Sequence, residues 1–470
     1  MSATAIPGDL DTARGPPLRV PLLHFLVAVG LLLAGAGLWL ASALGVAPAL
    51  AGVARAHLLL TGWVCVTIAG AMTQFVPVWS GVALHSRRLA RAQLWLLTAG
   101  LTGFVACLLA GRLDLLWLAG VAVLAGFWTF AYNLARTLAS ARPWDHTERH
   151  FALALGFLVL ATLAGTALAT GFVRPVAAEL GLGRGALRAA HLTLAVLGIV
   201  LTTVFGALAQ LAPMFTNVEA DATDRRLLAA ETALFPGGVL VLAAGRLLAV
   251  PAVAVVGVGA VGLGTAAFAV ALGRTLARAR AARTPTLTRY AGVAMALPAW
   301  LALAVPTWLA NPLRHPLGGP VAAPVLVLGV CTLVVAGTLY HVVPFLVWVE
   351  RYSDRLGLAT VPSVDELYDG RLAAADFGAL VAATVLLTAA AAGDVWGLPT
   401  DDIVAALGLA GTAALVAGAA LFAANLGRVV RRHVHGGLRG LLAGTPPDAS
   451  EDGPADAAAD SFDAPLESSD

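Results

Sequence analysis

The chain of 470 residues contains no lysine, so its 29 basic residues are all arginine, a bias that fits a GC-rich genome better than any mechanism. Charge of either sign is scarce: 12% of residues are charged. A soluble domain carries about a quarter, so a conventional water-facing surface is excluded. There are three cysteines, Cys65, Cys107 and Cys331, all inside apolar blocks and without metal-type spacing. That excludes a disulfide framework and leaves them as small residues packed in helices. No phosphate-binding glycine loop, catalytic triad or CxxC pair is present, and nothing points to nucleic acid.

What is abundant is apolar sequence: 59% of residues are hydrophobic and the mean hydropathy is +0.85. The apolar residues come in twelve blocks, near 20–45, 57–80, 92–111, 114–137, 150–173, 187–213, 227–248, 250–275, 290–310, 321–348, 374–395 and 401–428. Each is long enough to cross a hydrocarbon core of about 30 Å at ~1.5 Å per residue. The first is too long for a signal-peptide core and no cleavage site follows it, so it reads as a membrane helix.

Arginine counts orient these helices. The N-terminus, alternate loops and the C-terminal tail hold 22 arginines, and the opposite loops hold 7. Both ends are therefore expected in the cytoplasm, with the chain in the inner or plasma membrane. The organisation follows as a cytoplasmic segment 1–19, a membrane domain 20–430, and a tail 431–470 that turns from basic to acidic. The tail from Gly444 has almost no large apolar residues and is expected to be disordered.

Three blocks share one pattern: Gly62, Gly70 and Pro77; Gly198, Gly206 and Pro213; Gly329, Gly337 and Pro344. The spacing of eight and then seven residues is the same each time, and the copies recur after 136 and 131 residues, four helices apart. An all-α polytopic fold of three pseudosymmetric four-helix units is expected, over about 20–137, 150–278 and 290–430. The glycines let a neighbouring backbone or a flat cofactor come close, and the prolines end or kink the helix. Three residues before each proline stands a polar side chain, Gln74, Gln210 or His341. These bond helix ends to one another or form a polar layer at the cytoplasmic face.

Twelve helices in three such units resemble the catalytic subunit of the heme-copper oxidase superfamily, the oxygen and nitric oxide reductases. The strings AHLLLTGWVCVTIAGAMTQFVP and AHLTLAVLGIVLTTVFGALAQLAP look like that family's second helix, which opens on a heme-ligating histidine. The resemblance implies His57, and by repetition His191, as candidate heme ligands at the external face, with electron transfer or gas-ligand binding as the activity. The ligand set is incomplete. The seventh block has no histidine where the family holds copper, and the tenth has only His341. His57 lies 20 residues before its proline and His341 lies 3 before its own, an offset of roughly 25 Å along the helix. They cannot share one iron, so an oxygen-reducing heme–copper centre is not expected, and copper is not. A transporter of a metal, heme or small molecule, and a non-catalytic or assembly subunit for respiratory-chain partners, are the alternatives.

The other polar residues read blandly. His24 is a lone packed histidine. His85, His146, His150, His433 and His435 lie in cytoplasmic segments among arginines, the last two as a solvated basic patch. Glu231 and Asp376 suit helix N-termini. The charged stretch 350–372 lies along the membrane interface. Few charges fall at mid-membrane depth, which argues against an ion-coupled pump.

Overall fold

The computed structural model describes residues 16–397, 400–434 and 436–443. Among them twelve helices are long and apolar enough to cross a membrane, and there is no strand. They are α1 Arg19–Ala43, α2 Ala51–Trp79, α3 Arg87–Leu109, α4 Leu116–Ala139, α5 His146–Thr170, α6 Arg184–Thr216, α7 Ala222–Leu247, α8 Pro251–Ala277, α9 Pro285–Ala310, α10 Ala322–Arg355, α11 Gly370–Trp396 and α12 Asp401–His433. This is a multi-pass, all-helical membrane protein. The tail expected to be disordered, and His435, lie outside the described residues.

The two ends of these helices are built differently. Odd-numbered helices start at the face that bears the arginine-rich loops, and five of the six start on a side-chain cap: Ser86, Asp145, Asp221, Thr284 and Asp369. The even-numbered helices start at the far face without one. A capping oxygen satisfies amides that the first turn leaves unpaired.

Three helices are central. Buried residues make up 72%, 78% and 83% of the apolar windows of α2, α6 and α10, against 28–44% in the other nine. Around them the outer helices pair as α3 with α4, α7 with α8 and α11 with α12, and α4 packs on α5, α8 on α9 and α1 on α12. The outer helices thus form a closed ring.

Each central helix contains a π-helical stretch, His57–Cys65, Thr193–Leu201 and Val325–Thr332, and each stretch includes the first repeat glycine. In two of them a threonine hydroxyl reaches back five residues, Thr202 to Leu197 O at 3.3 Å and Thr332 to Val327 O at 2.9 Å. The prolines do not end these helices, which run on to Trp79, Thr216 and Arg355. Cys65 and Cys331 are buried in the core, Cys107 is half-buried, and all three are free thiols.

Between α2, α6 and α10 lies an apolar cavity of about 70 Å³. Each helix lines it with the same five places, counted as three and two before, and one, two and five after, its second repeat glycine; on α2 these are Thr67, Ile68, Ala71, Met72 and Phe75.

Candidate functional site

The second repeat glycine of each central helix receives a polar side chain from the helix before it. A β-carbon placed on Gly70 would fall 2.5 Å from His24 Cβ, on Gly206 2.4 Å from His150 Cβ, and on Gly337 2.9 Å from Arg289 Cβ. Seven residues further along the same three outer helices, Leu31, Phe157 and Ala296 fill the notches at Gly62, Gly198 and Gly329. The repeat glycines are thus seats for protein side chains from α1, α5 and α9. Two threonines fasten the fit, Thr147 Oγ1 to Gly206 O at 3.1 Å and Thr286 Oγ1 to Gly337 O at 2.9 Å.

Each seated residue has a partner on the next outer helix. On α3, Gln93 Nε2 donates to His24 Nε2 at 3.3 Å, while His24 Nδ1 donates to Val20 O at 2.8 Å. On α7, Glu231 places Oε2 and Oε1 at 3.0 and 3.1 Å from His150 Nε2. On α11, Asp376 pairs with Arg289 and also accepts from the Tyr340 hydroxyl. All six slot residues are at most 1% exposed.

The slots differ in how charge is met. The α1–α3 slot is neutral. In the α9–α11 slot the guanidinium of Arg289 bonds Asp376, Ala373 O and Pro285 O, and Asn425 donates to the Tyr340 oxygen at 3.0 Å. Its carboxylate has a permanent counter-ion. In the α5–α7 slot Glu231 has no fixed cation: it faces the imidazoles of His150 and, at 3.8 Å, His146, with the Thr232 hydroxyl 3.4 Å from Oε2. A buried carboxylate needs a partner cation or a proton.

Glu231 and Asp376 are therefore not N-terminal acids. They lie nine and six residues into helices that start at Ala222 and Gly370, where neither can serve the first-turn amides. That role belongs to Asp221 and Asp369. His24 is not alone, and His146 and His150 belong to α5. A further buried charge is Arg246, in the last turn of α7, 1% exposed and bonded to Thr193 Oγ1 and to the carbonyls of Pro312, His315 and Pro316. His433 is tethered to the end of α10 rather than solvated: its Nδ1 meets the Tyr352 hydroxyl at 2.8 Å and its carbonyl accepts from Arg351 at 3.1 Å.

The far-side histidines turn to their own neighbours. His57 rests on Phe104 with ring centroids 4.7 Å apart and bonds Val53 O at 2.9 Å. His191 lies in the notch of Gly165 and bonds Ala161 O at 2.8 Å. One imidazole thus packs on α3 and the other on α5, and the glycine notches between the central helices and their neighbours are occupied by side chains. The two rings still lie near enough for their charges to interact. The expected polar layer does not join up. Gln74 is buried with its Oε1 unbonded, Gln210 is exposed, and His341 stacks on Phe345 and meets Phe215 at a tilt.

No protein-family model matches the sequence, and no curated protein matches it.

Sequence reasoning missed the roles of Gln93, His146, His150, Arg289, Tyr340 and Asn425. One signal is available for the pair on α5: histidines four apart, as His146 and His150 are, share a helix face.

Proposed function

We propose that this chain is a cation-handling permease of the inner membrane, built on a pseudo-threefold frame of four-helix units like that of the heme-copper oxidase catalytic subunit, with both ends in the cytoplasm. The observation that carries the reading is the contrast among three equivalent slots. One is neutral, one holds a carboxylate locked to Arg289, and one holds Glu231 against imidazoles and a hydroxyl, with no arginine. The second unit is where a cation can bind and leave. Intramembrane ionisable groups are functional by default, which supports exchange there.

Proteoliposomes carrying the protein, loaded with pH-sensitive or divalent-metal-sensitive dyes, test this. Wild type should dissipate a proton or divalent-cation gradient, and Glu231→Gln should abolish the flux while still reconstituting. Wild-type vesicles as tight as empty ones under every gradient would overturn the reading.

One observation favours a second reading, binding of a small apolar gas without heme. The cavity enclosed by α2, α6 and α10 is about 70 Å³ and almost wholly apolar, with the Thr203 hydroxyl unbonded at its wall. Xenon binding to purified protein that is lost in Ala207→Leu would support it.

A further inference from the structure

The donors around Glu231 can be counted. His150 Nδ1 faces the His146 carbonyl at 2.8 Å, and a carbonyl only accepts, so Nδ1 carries the proton. In the neutral ring His150 Nε2 then offers a lone pair, and it faces both oxygens of Glu231 at 3.0 and 3.1 Å. His146 is fixed the same way. The Thr232 hydroxyl lies 2.9 Å from Leu228 O and 3.4 Å from Glu231 Oε2; donating to either leaves its oxygen to accept from His146 Nδ1 at 3.2 Å. His146 Nε2 is left buried, without a hydrogen-bond partner, 3.8 Å from Glu231 Oε2.

With both rings neutral and Glu231 ionised, three Lewis-base atoms converge here, two imidazole nitrogens and one carboxylate oxygen. They all lie within 4.8 Å of one another. Three such acceptors repel unless a proton or a metal cation sits among them, and a small closing of the rings would bring all three to metal bonds of about 2.0–2.2 Å. Two imidazoles with one carboxylate suit a borderline divalent transition ion, and not calcium or magnesium, which take oxygen ligands. The second nitrogen of each ring is anchored, by a backbone carbonyl for His150 and by Thr232 for His146, the arrangement that fixes tautomer and orientation in metal-binding histidines. The His146 side chain is 25% exposed, which gives an ion access from the arginine-rich face and leaves room for water as a further ligand.

We infer that His146 Nε2, His150 Nε2 and Glu231 form a binding site for a divalent transition-metal ion of the zinc class, which rests on the reading of this slot as a cation site and names its occupant. His24 and Gln93 give the first slot no such set, and Arg289 fills the third with a fixed charge.

The test uses the full-length protein in detergent, stripped with a chelator and titrated with Co²⁺ as a visible-absorbing stand-in for zinc. A single ion per chain should bind with the d–d spectrum of nitrogen and oxygen ligands, and Zn²⁺ should displace it. His146→Gln, the mildest change because this side chain is partly exposed, should abolish the spectrum, as should Glu231→Gln. Thr232→Val should weaken binding about 10-fold while leaving the protein folded. Wild type that binds no Co²⁺, or binding that survives in a monodisperse His146→Gln/Glu231→Gln double variant, overturns the site. Proton flux in liposomes without any metal binding would leave the permease reading standing and remove this one.

Discussion

Gly206 has no side chain because His150 occupies that space: a β-carbon there would stand 2.4 Å from the His150 Cβ, closer than real β-carbon contacts come. Both the packing of α5 on α6 and the aim of the imidazole at Glu231 depend on that one missing methyl group. Gly206→Ala should push α5 outward, at a cost of about 1–3 kcal/mol for overpacking, and should weaken binding at the Glu231 slot. Gly337→Ala meets Arg289 Cβ at 2.9 Å and should cost less. Thermal unfolding of both variants, followed by tryptophan fluorescence, checks the order.

The Arg289–Asp376 pair should behave as one unit. Asp376→Leu or Arg289→Met alone leaves a buried charge without its counter-ion and should cost about 3–5 kcal/mol. The double variant Arg289→Met/Asp376→Leu should recover most of the loss, since burying two charges is itself expensive. A double-mutant cycle on unfolding midpoints reads the coupling. Additive single effects would show that Tyr340 and Asn425 hold Asp376 unaided.

Arg246 pins the far-side loop by bonding the carbonyls of Pro312, His315 and Pro316, with Trp308 adding a bond to His315 O at 2.5 Å. Arg246→Met should free this loop while leaving α7 in place. Limited proteolysis from that face should then cut between residues 311 and 321 at least several-fold faster than in wild type. An unchanged digestion pattern would mean that the loop is held by its own turns.

Asp369 caps α11, and its carboxylate is held below its ordinary value, first by the amide of Leu372 and further by that of Arg371 and by Arg428. A folded-state value below the unfolded one adds stability that is complete above about pH 4 and fades as pH falls through the lowered value. Asp369→Asn keeps the cap but removes that dependence. Wild type should exceed this uncharged variant in Tm at neutral pH by about 1–3 °C, and the gap should close in acid. A gap that widens in acid would contradict the sign.

Heme supplied to cells or to the purified protein should give no Soret band that depends on His57 or His191. Each ring is already seated, on Phe104 and in the Gly165 notch. A band lost in His57→Ala would show that these contacts give way to a macrocycle.

The twelve helices are legible in the sequence because lipid-facing and core-facing residues are both apolar, so each span stands out whatever it packs against. Their starts are not. Arg87, His146 and Gly370 begin helices that hydropathy alone starts about four or five residues later, because the polar first turn that a cap extends looks like loop. For the same reason His146 and His150 read as loop residues. The glycine repeat marks the slots correctly as sites of close approach. It does not show who approaches: 46, 56 and 48 residues separate His24, His150 and Arg289 from their glycines, because the linking loops differ in length. Partners such as Gln93, Glu231 and Asp376 come from a third helix, and only the packed ring brings them in.

A π-helical turn is an α-helix that has taken in an extra residue. In α2, α6 and α10 that residue sits in the outer half, beside the first repeat glycine. Everything on the far side of it is rotated relative to the five-position stripe that lines the cavity. A ruler of 3.6 residues per turn, laid from Pro77 back to His57 or from Pro213 back to His191, therefore gives their depth fairly and their compass bearing wrongly. Two histidines that a linear count aligns can face different neighbours. The same irregularity makes each of these helices a place where the chain could lose one residue and close up as a regular helix, turning its outer end to a new heading without disturbing the half that holds the buried pairs.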